Sequence, residues 1–219
     1  MDRAFFLERL YPLQDAVLGR LTPLETGFYL TGGTAASRGY LQHRFSDDLD
    51  LFVNDDERFG TWAQRVIETL TDADGWHVDV ERRGARFVRI TVRAEVALKI
   101  EMVNDVPAHV GTLRMHPVLG QLDSAENILA NKITALVDRR EPKDLADIWG
   151  FCCRMNLSCE TALRDAHSKA AGLFPPDIAR VLLTATVDHW RLVQWDNAPE
   201  PQRFLADLRE IGERLLLVR

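Results

Sequence analysis

YLTGGT at residues 29–34 and RFSDDLDLF at residues 44–52 decide the fold of this chain. The first segment predicts a short strand that ends in a glycine turn, and the second predicts a strand over residues 48–53. Because side chains alternate across a strand, Asp48 and Asp50 lie on one face, with leucines on the other. The two segments therefore supply a pair of carboxylates and a tight backbone turn.

This combination of residues is typical of a site for a metal ion and phosphate. Two carboxylates on one strand suit Mg²⁺, which takes oxygen ligands and leaves other positions for water and substrate phosphates. Gly32 and Gly33 let the backbone approach a ligand closely, and a helix that begins near Thr34 turns its free N–H groups toward an anion. We therefore predict that Asp48 and Asp50 bind Mg²⁺ and that residues 32–34 cradle phosphates.

A third acidic residue lies inside a later apolar strand, ALKIEMV at residues 97–103. Glu101 has apolar neighbours on both sides, and a carboxylate in such a strand is costly to bury unless it is paired or bound to metal. If this strand lies beside the strand of Asp48 and Asp50, the three carboxylates converge. Lys99 points to the same face as Glu101, so a structural ion pair is the alternative interpretation.

The order of helical and strand patterns predicts an α+β fold. Three strand patterns follow one another at about residues 76–82, 86–93 and 96–103, and helical patterns dominate the chain after Ser124. We expect a small mixed β-sheet core flanked by helices over residues 1–120 and a helical C-terminal bundle over residues 121–219.

Composition narrows the class of protein. The chain has 219 residues, a formal net charge of −6 and 46% hydrophobic residues, which suits a globular protein. It has no run of about 18 apolar residues, so we expect no membrane span, and its N-terminus is a poor signal peptide. We expect a cytoplasmic location. Cys152, Cys153 and Cys159 fit no zinc-binding spacing, so we interpret them as buried free thiols.

Five arginines between residues 82 and 93 are a candidate basic surface: Arg82, Arg83, Arg86, Arg89 and Arg93. A local basic cleft can bind nucleic acid even on an acidic protein. The alternative is that most of these arginines solvate a strand edge and a turn.

The chain resembles the nucleotidyltransferase superfamily that has the polymerase-beta-like fold, through the glycine pair, the Asp48–Asp50 motif and the later lone acid. The longer string from Gly32 to Asp50 resembles more narrowly the AbiEii/AbiGii group, the toxin arm of type IV toxin–antitoxin systems. A second block, KITALVDRREPKDLADI at residues 132–148, is similar to the pattern that opens the helical half of that group. The resemblance covers about residues 28–150.

Three positions depart from the usual pattern of these relatives. Gly33 stands where the superfamily often has Ser, Lys143 where the second block usually has Arg, and Glu101 where the third acid is often Asp.

The resemblance implies an NTP-dependent enzyme. Asp48, Asp50 and Glu101 would hold one or two Mg²⁺ ions, and an acceptor hydroxyl would attack the α-phosphorus of an NTP so that pyrophosphate leaves. Lys132 would reach the β- and γ-phosphates as a mobile point charge, and Asp144 would anchor Lys132 or touch the nucleotide.

Further roles and partners follow from the same resemblance. Arg44 would contact phosphate, and Ser46 would orient a carboxylate or a metal-bound water. The acceptor would be tRNA or another RNA, and a cognate antitoxin would be a partner. Asp147, three residues after Asp144, is a weaker candidate for the site.

Two other functions remain open. One is nucleotidylation of a small molecule such as an aminoglycoside, whose positive charge requires spare acidic residues around its pocket. The other is a catalytically silent nucleotide-binding protein. The arginines of residues 82–93 favour RNA, and the presence of all three acids favours an enzyme.

Overall fold

The computed structural model describes residues 3–170 and 172–217 and separates the chain into two compact units. The first unit comprises Met1–Ala35, Ser46–Pro107 and Thr112–Asp123, and the second comprises Ala36–Phe45, Ala108–Gly111 and Ser124–Arg219. The sequence analysis expects one division of the chain, after residue 120. Two short segments before that residue, 36–45 and 108–111, nevertheless belong to the second unit.

A seven-stranded mixed sheet forms the first unit. Its strands are β1 (Tyr29–Thr31), β2 (Asp48–Asn54), β3 (His77–Arg83), β4 (Phe87–Arg93), β5 (Ala97–Asp105), β6 (Arg114–His116) and β7 (Gly120–Leu122). The strand order is β3-β4-β5-β2-β1-β7-β6. The β2–β5 and β1–β7 pairs are parallel, and the other neighbouring pairs are antiparallel.

One face of the central strands forms the core of this unit. Leu49 and Leu51 of β2 are buried, and so are Ile100 and Met102 of β5, whereas the alternate residues of both strands are only partly buried. This alternation is the period-2 pattern of a strand with one apolar face. It turns the acidic side chains of β2 and β5 away from the apolar core.

The helices of the first unit begin with a π-helical segment, Phe5–Leu10, which leads into α1 (Tyr11–Leu21). Pro12 lies in the first turn of α1, where its missing N–H is tolerated. The short α2 (Gly32–Thr34) continues as a π-helical segment, Ala35–Leu41, and α3 (Phe59–Thr71) packs against α1, β3 and β4.

The second unit is helical. Its helices are α4 (Ala125–Asp138), α5 (Pro142–Trp149), α6 (Cys159–Ala166), α7 (Pro175–Leu183), α8 (Val187–Leu192) and α9 (Pro201–Leu215), with a π-helical segment at Gly150–Arg154. Ser124 caps α4 by accepting a hydrogen bond from the Asn127 backbone N–H at 3.0 Å. The predicted α+β class and the helical C-terminal half are confirmed.

Two expectations drawn from the composition concern membrane-spanning helices and the state of the cysteines. Among the described helices, none combines the length and the apolar character that a bilayer crossing requires. The three cysteines are free thiols; Cys152 and Cys159 are buried as predicted, whereas Cys153 is exposed, so the prediction of burial is wrong for that residue.

Candidate active site

The three predicted metal ligands lie on one face of two neighbouring strands. In the parallel β2–β5 pair, Asp50 is the register partner of Glu101, and Asp48 is the partner of Lys99. We call the set Asp48, Asp50 and Glu101 the acidic face. Residues far apart in sequence meet here because parallel pairing aligns β2 directly with β5.

Lys99 and Arg89 are cations that contact the acidic face. Lys99 Nζ lies 3.1 Å from Asp48 Oδ2 and 3.4 Å from Glu101 Oε1, and Arg89 approaches the same Glu101 oxygen through Nε at 2.9 Å and Nη2 at 2.8 Å. Partial burial lowers the pKa of Lys99, but the charges of Asp48 and Glu101 outweigh it, so this pKa lies above its usual value. The structural ion pair that the sequence offered as the alternative for Glu101 is therefore present.

The glycine turn packs directly against the acidic face. Gly32 has φ +65°, a left-handed conformation that favours glycine, and a Cβ at this position would overlap the carboxylate of Asp50. Gly33 is buried in the short helix that follows. The turn therefore needs glycine at residue 32 for both conformation and space.

Thr34 and Ser46 hold the backbone around β2. The Thr34 hydroxyl donates to the backbone oxygen of Asp48 at 2.5 Å. The Ser46 backbone accepts from Gln14 Nε2 at 3.2 Å and donates to the Tyr11 hydroxyl at 3.3 Å. These contacts fix where β2 begins.

The acidic face offers the carboxylate oxygens that Mg²⁺ prefers, although its three side chains do not surround a common point. Over residues 3–170 and 172–217, no three His, Cys, Asp or Glu side chains form a group that could hold a metal ion. The strand register nevertheless places three carboxylates on one face, and carboxylate oxygen is the ligand that Mg²⁺ prefers. Lys99 and Arg89 now contact two of these carboxylates, so a divalent cation would enter a site that already holds positive charge.

The arginines of residues 82–93 mostly have polar partners within the first unit. Arg83 donates to Gln64, Arg86 pairs with Asp55, and Arg93 pairs with Asp79, with donor–acceptor distances of 2.6–2.8 Å. Arg89 is the partner of Glu101 already described. Arg82 and Arg83 lie on the edge strand β3, whereas Arg89 and Arg93 lie on β4, which pairs with β3 and β5; the side chains of Arg86 and Arg93 remain about half exposed.

The second unit contains a buried charge network centred on Asp147. Asp147 is fully buried and is contacted by Arg44 Nε and Nη2, both at 2.7 Å, and by Lys132 Nζ, also at 2.7 Å. Burial alone would raise the pKa of Asp147, but the charges of Arg44 and Lys132 hold it well below its usual range. Asp147 therefore remains ionised inside the unit.

Lys132 is held between two carboxylates of α5. Its Nζ lies 2.8 Å from Asp144 Oδ1 as well as 2.7 Å from Asp147 Oδ2, and the residue is only 5% exposed. Burial lowers the pKa of Lys132, but Asp147 and Asp144 outweigh burial and raise it. Asp144 also accepts from Arg139 Nε at 3.1 Å. The mobile lysine expected from the sequence is instead fixed in orientation.

His43 completes the network as a neutral side chain. Its Nε2 lies 3.0 Å from Asp147 Oδ1, which places the ring proton on Nε2 because an ionised carboxylate only accepts. Burial lowers the pKa of His43, and Nδ1 is buried with no hydrogen-bond partner among the described residues. Asp147 thus has contacts with Arg44, Lys132 and His43.

The sequence patterns missed the roles of several of these residues. Arg44 was assigned to phosphate, whereas the structure commits its guanidinium to Asp147. The sequence makes Asp147 only a weaker candidate for the active site and predicts no role for His43. The available signal was the spacing of Asp144 and Asp147 on one helical face, since a shared basic partner is the usual way to bury two carboxylates.

A protein-family model matches most of the chain. The family model described as "Nucleotidyl transferase AbiEii toxin, Type IV TA system" matches residues 16–208. No curated protein sequence matches the chain.

Solved structures of similar fold include JHP933 from Helicobacter pylori, with 19% identity, a TM-score of 0.63, and coverage of 98% of this chain and 92% of that one. The MenT4 nucleotidyltransferase toxin Rv2826c from Mycobacterium tuberculosis H37Rv has 17% identity, a TM-score of 0.58, and coverage of 99% and 90%. At such identities the likeness shows a shared fold.

Proposed function

Because this chain belongs to the AbiEii family and is a toxin nucleotidyltransferase of the type IV toxin–antitoxin class, we propose that it transfers an NMP from a Mg²⁺-bound NTP to a hydroxyl of tRNA or another RNA. The observation that carries the proposal is the register of β2 and β5, which sets Asp50 opposite Glu101 with Asp48 on the same face. The family implies an NTP substrate and a cognate antitoxin.

The acidic face would hold the metal ions. When bound, Mg²⁺ would neutralise the triphosphate and steady the attacking and leaving oxygens of an in-line displacement. Asp48 and Asp50 would act as ligands, and Glu101 would be a ligand or accept the proton of the attacking hydroxyl. The new bond joins the acceptor oxygen to the α-phosphorus, and the bond to the β-phosphate oxygen breaks to release pyrophosphate.

The glycine turn would bind the phosphates through its backbone. Gly32, Gly33 and Thr34 would offer N–H groups, since the Thr34 side chain donates elsewhere. The absence of a Cβ at Gly32 supports this role because it lets the turn lie against Asp50. Ser46 would act indirectly, by fixing the start of the strand that carries the aspartates.

In the second unit, Lys132 and Asp144 remain the proposed catalytic pair. The contact between them at 2.8 Å supports the idea that Asp144 anchors Lys132. Because two buried carboxylates hold its ammonium, Lys132 would act from a fixed position. Arg44 would support Lys132 through their shared partner, Asp147, and the phosphate contact proposed for Arg44 would require release from that carboxylate.

The acceptor is proposed from the toxin class and from surface charge. Arg86 precedes β4 and Arg93 ends it, and both keep about half of their side chains exposed, so a polyanion can approach them. Nucleotidylation of an aminoglycoside is the alternative that the same assay tests.

A labelling experiment tests the proposed function. The protein is incubated with each α-³²P-labelled NTP, Mg²⁺ and total RNA, and we expect label in a discrete tRNA-sized band. Asp48→Asn should abolish the band, whereas Asp188→Asn should retain it because Asp188 is an exposed residue of α8. Labelled RNA from Asp48→Asn at the rate of the natural chain would refute the proposed site, and label on an added aminoglycoside alone would support the alternative acceptor.

A further inference from the structure

We propose that Lys99 competes with divalent cations for Asp48 and Glu101, so that a cation can occupy the acidic face only after the Lys99 ammonium leaves it. This inference rests on the proposed function, because it concerns the same carboxylates. Lys99 Nζ lies 3.1 Å from Asp48 and 3.4 Å from Glu101. A single ammonium thus bridges β2 and β5, as a metal ion bound to both carboxylates would.

Electrostatic repulsion supports competition. A divalent cation bound to both Asp48 and Glu101 would lie close to the Lys99 ammonium, which contacts the same two carboxylates, and like charges at such a separation repel. Departure of Lys99 removes this repulsion and makes both carboxylates available to the cation, so binding of the cation and departure of Lys99 are favoured together.

Lys99 is better suited to leave than Arg89. Arg89 makes two hydrogen bonds to Glu101 through its planar guanidinium, whereas Lys99 offers a point charge on a flexible stem and is 42% exposed. An exposed ammonium can exchange its carboxylate partners for water at small cost. The displaced Lys99 would then be available to the negative charge of an incoming triphosphate.

Binding of Mn²⁺, measured from the EPR signal of the free ion, tests the competition without nucleotide turnover. Lys99→Met should bind Mn²⁺ about fivefold more tightly than the natural chain, as expected for the loss of a partly exposed ion pair. Lys143→Met is the matched control, because Lys143 has the same 42% side-chain exposure and pairs with a carboxylate outside the acidic face, Glu141. It should bind Mn²⁺ like the natural chain.

Two more variants make the test specific. Lys99→Met combined with Asp48→Asn should lose the gain in affinity, and Lys99→Gln, which keeps a polar side chain, should reproduce it if Lys99→Met folds poorly. In thermal unfolding, Mn²⁺ should raise the midpoint of Lys99→Met more than that of the natural chain, because only bound cation restores the missing positive charge.

The outcomes separate the two proposals. Equal or weaker Mn²⁺ affinity of the folded Lys99 variants, with binding that still requires Asp48, would refute the competition and leave the proposed metal site intact. If neither the natural chain nor a Lys99 variant binds Mn²⁺ in an Asp48-dependent way, the metal site itself is refuted, and the competition with it.

Discussion

Arg44 holds the carboxylate of Asp147 with two parallel hydrogen bonds, from Nε to Oδ1 and from Nη2 to Oδ2, each 2.7 Å long. A planar guanidinium fixes the orientation of a carboxylate in this geometry, and it stays charged in a dry interior. Lys132 and His43 bind the same carboxylate. The buried charge network of the second unit is therefore centred on Asp147.

The first prediction concerns Asp147. Asp147→Asn removes the buried negative charge and leaves Arg44 without its partner, so it should lower the free energy of unfolding by about 3–5 kcal/mol. Urea unfolding at neutral pH measures the change. Asp188→Asn on exposed α8 is the control and should stay within about 0.5 kcal/mol of the natural chain. A loss below about 1 kcal/mol for Asp147→Asn would show that the network contributes little to stability.

The second prediction is a decrease in stability in mildly acidic solution. Burial lowers the pKa of His43 below its ordinary 6.5, and the charges of Arg44 and Arg154 act in the same direction against the favourable contact with Asp147. Below pH 6.5 the unfolded chain therefore binds a proton that the folded chain does not. The stability contributed by neutral His43 is present above that pH and is lost as the pH falls toward the folded pKa.

Urea unfolding from about pH 8 to about pH 5 measures this dependence. His43→Gln keeps an N–H for Asp147 but cannot titrate in this range, so its stability should fall less steeply with acid. Parallel curves for the two proteins would contradict the prediction. A separate loss should occur below the ordinary Asp value of 3.8, because the depressed pKa of Asp147 keeps it ionised in the folded chain while its unfolded form takes up a proton.

The third prediction concerns the glycine turn. Gly32→Ala should cost about 1–3 kcal/mol of unfolding free energy, because φ +65° strains alanine and its Cβ would overlap Asp50. It should also lower nucleotide transfer by displacing that carboxylate. Thermal unfolding and the labelling assay measure the two effects.

Gly19→Ala is the control for the glycine turn, since Gly19 lies in α1 with nothing within 4 Å of the added Cβ. It should raise stability by up to about 1 kcal/mol, because alanine is the better helix former. Full activity of Gly32→Ala would mean that the turn has no role in placing Asp50.

The fourth prediction concerns the start of α4. Ser124 Oγ accepts from the Asn127 N–H at 3.0 Å and donates to the backbone oxygen of Val110 at 2.5 Å. Ser124→Ala should therefore cost about 1–2 kcal/mol, near the upper end for an N-cap. Ser158→Ala removes the cap of α6, whose hydroxyl also makes two hydrogen bonds, but at an exposed position, so it should cost less. Equal losses in urea unfolding would show that burial of the Ser124 hydrogen bonds adds nothing to their contribution.

Local patterns predicted much of the fold because the decisive signals are short-range. Alternation along residues 48–53 and 96–103 indicated β2 and β5, and Ser124 indicated the start of α4. The three-residue strands β6 and β7 escaped prediction, since a period of two needs a longer run to be recognised.

The site was less predictable because its contacts join distant parts of the chain. The acidic face follows from alternation together with one assumed pairing, which the β2–β5 register supplies. No local pattern predicts that Arg44 binds Asp147 across more than a hundred residues, or that Lys132 is fixed by two acids of the next helix. Partner choice in a buried network depends on tertiary packing.

Parallel pairing of β2 with β5 also governs when the acidic face can exist during synthesis of the toxin. Glu101 is translated about fifty residues after its partner Asp50, a delay of roughly 3–10 s at about 5–20 residues per second. A ribosome-bound chain that has not yet reached β5 has only two of the three carboxylates. The toxin therefore cannot assemble this face before the codon of Glu101 has been read, and under the proposed function a fragment that ends before β5 should not transfer nucleotides.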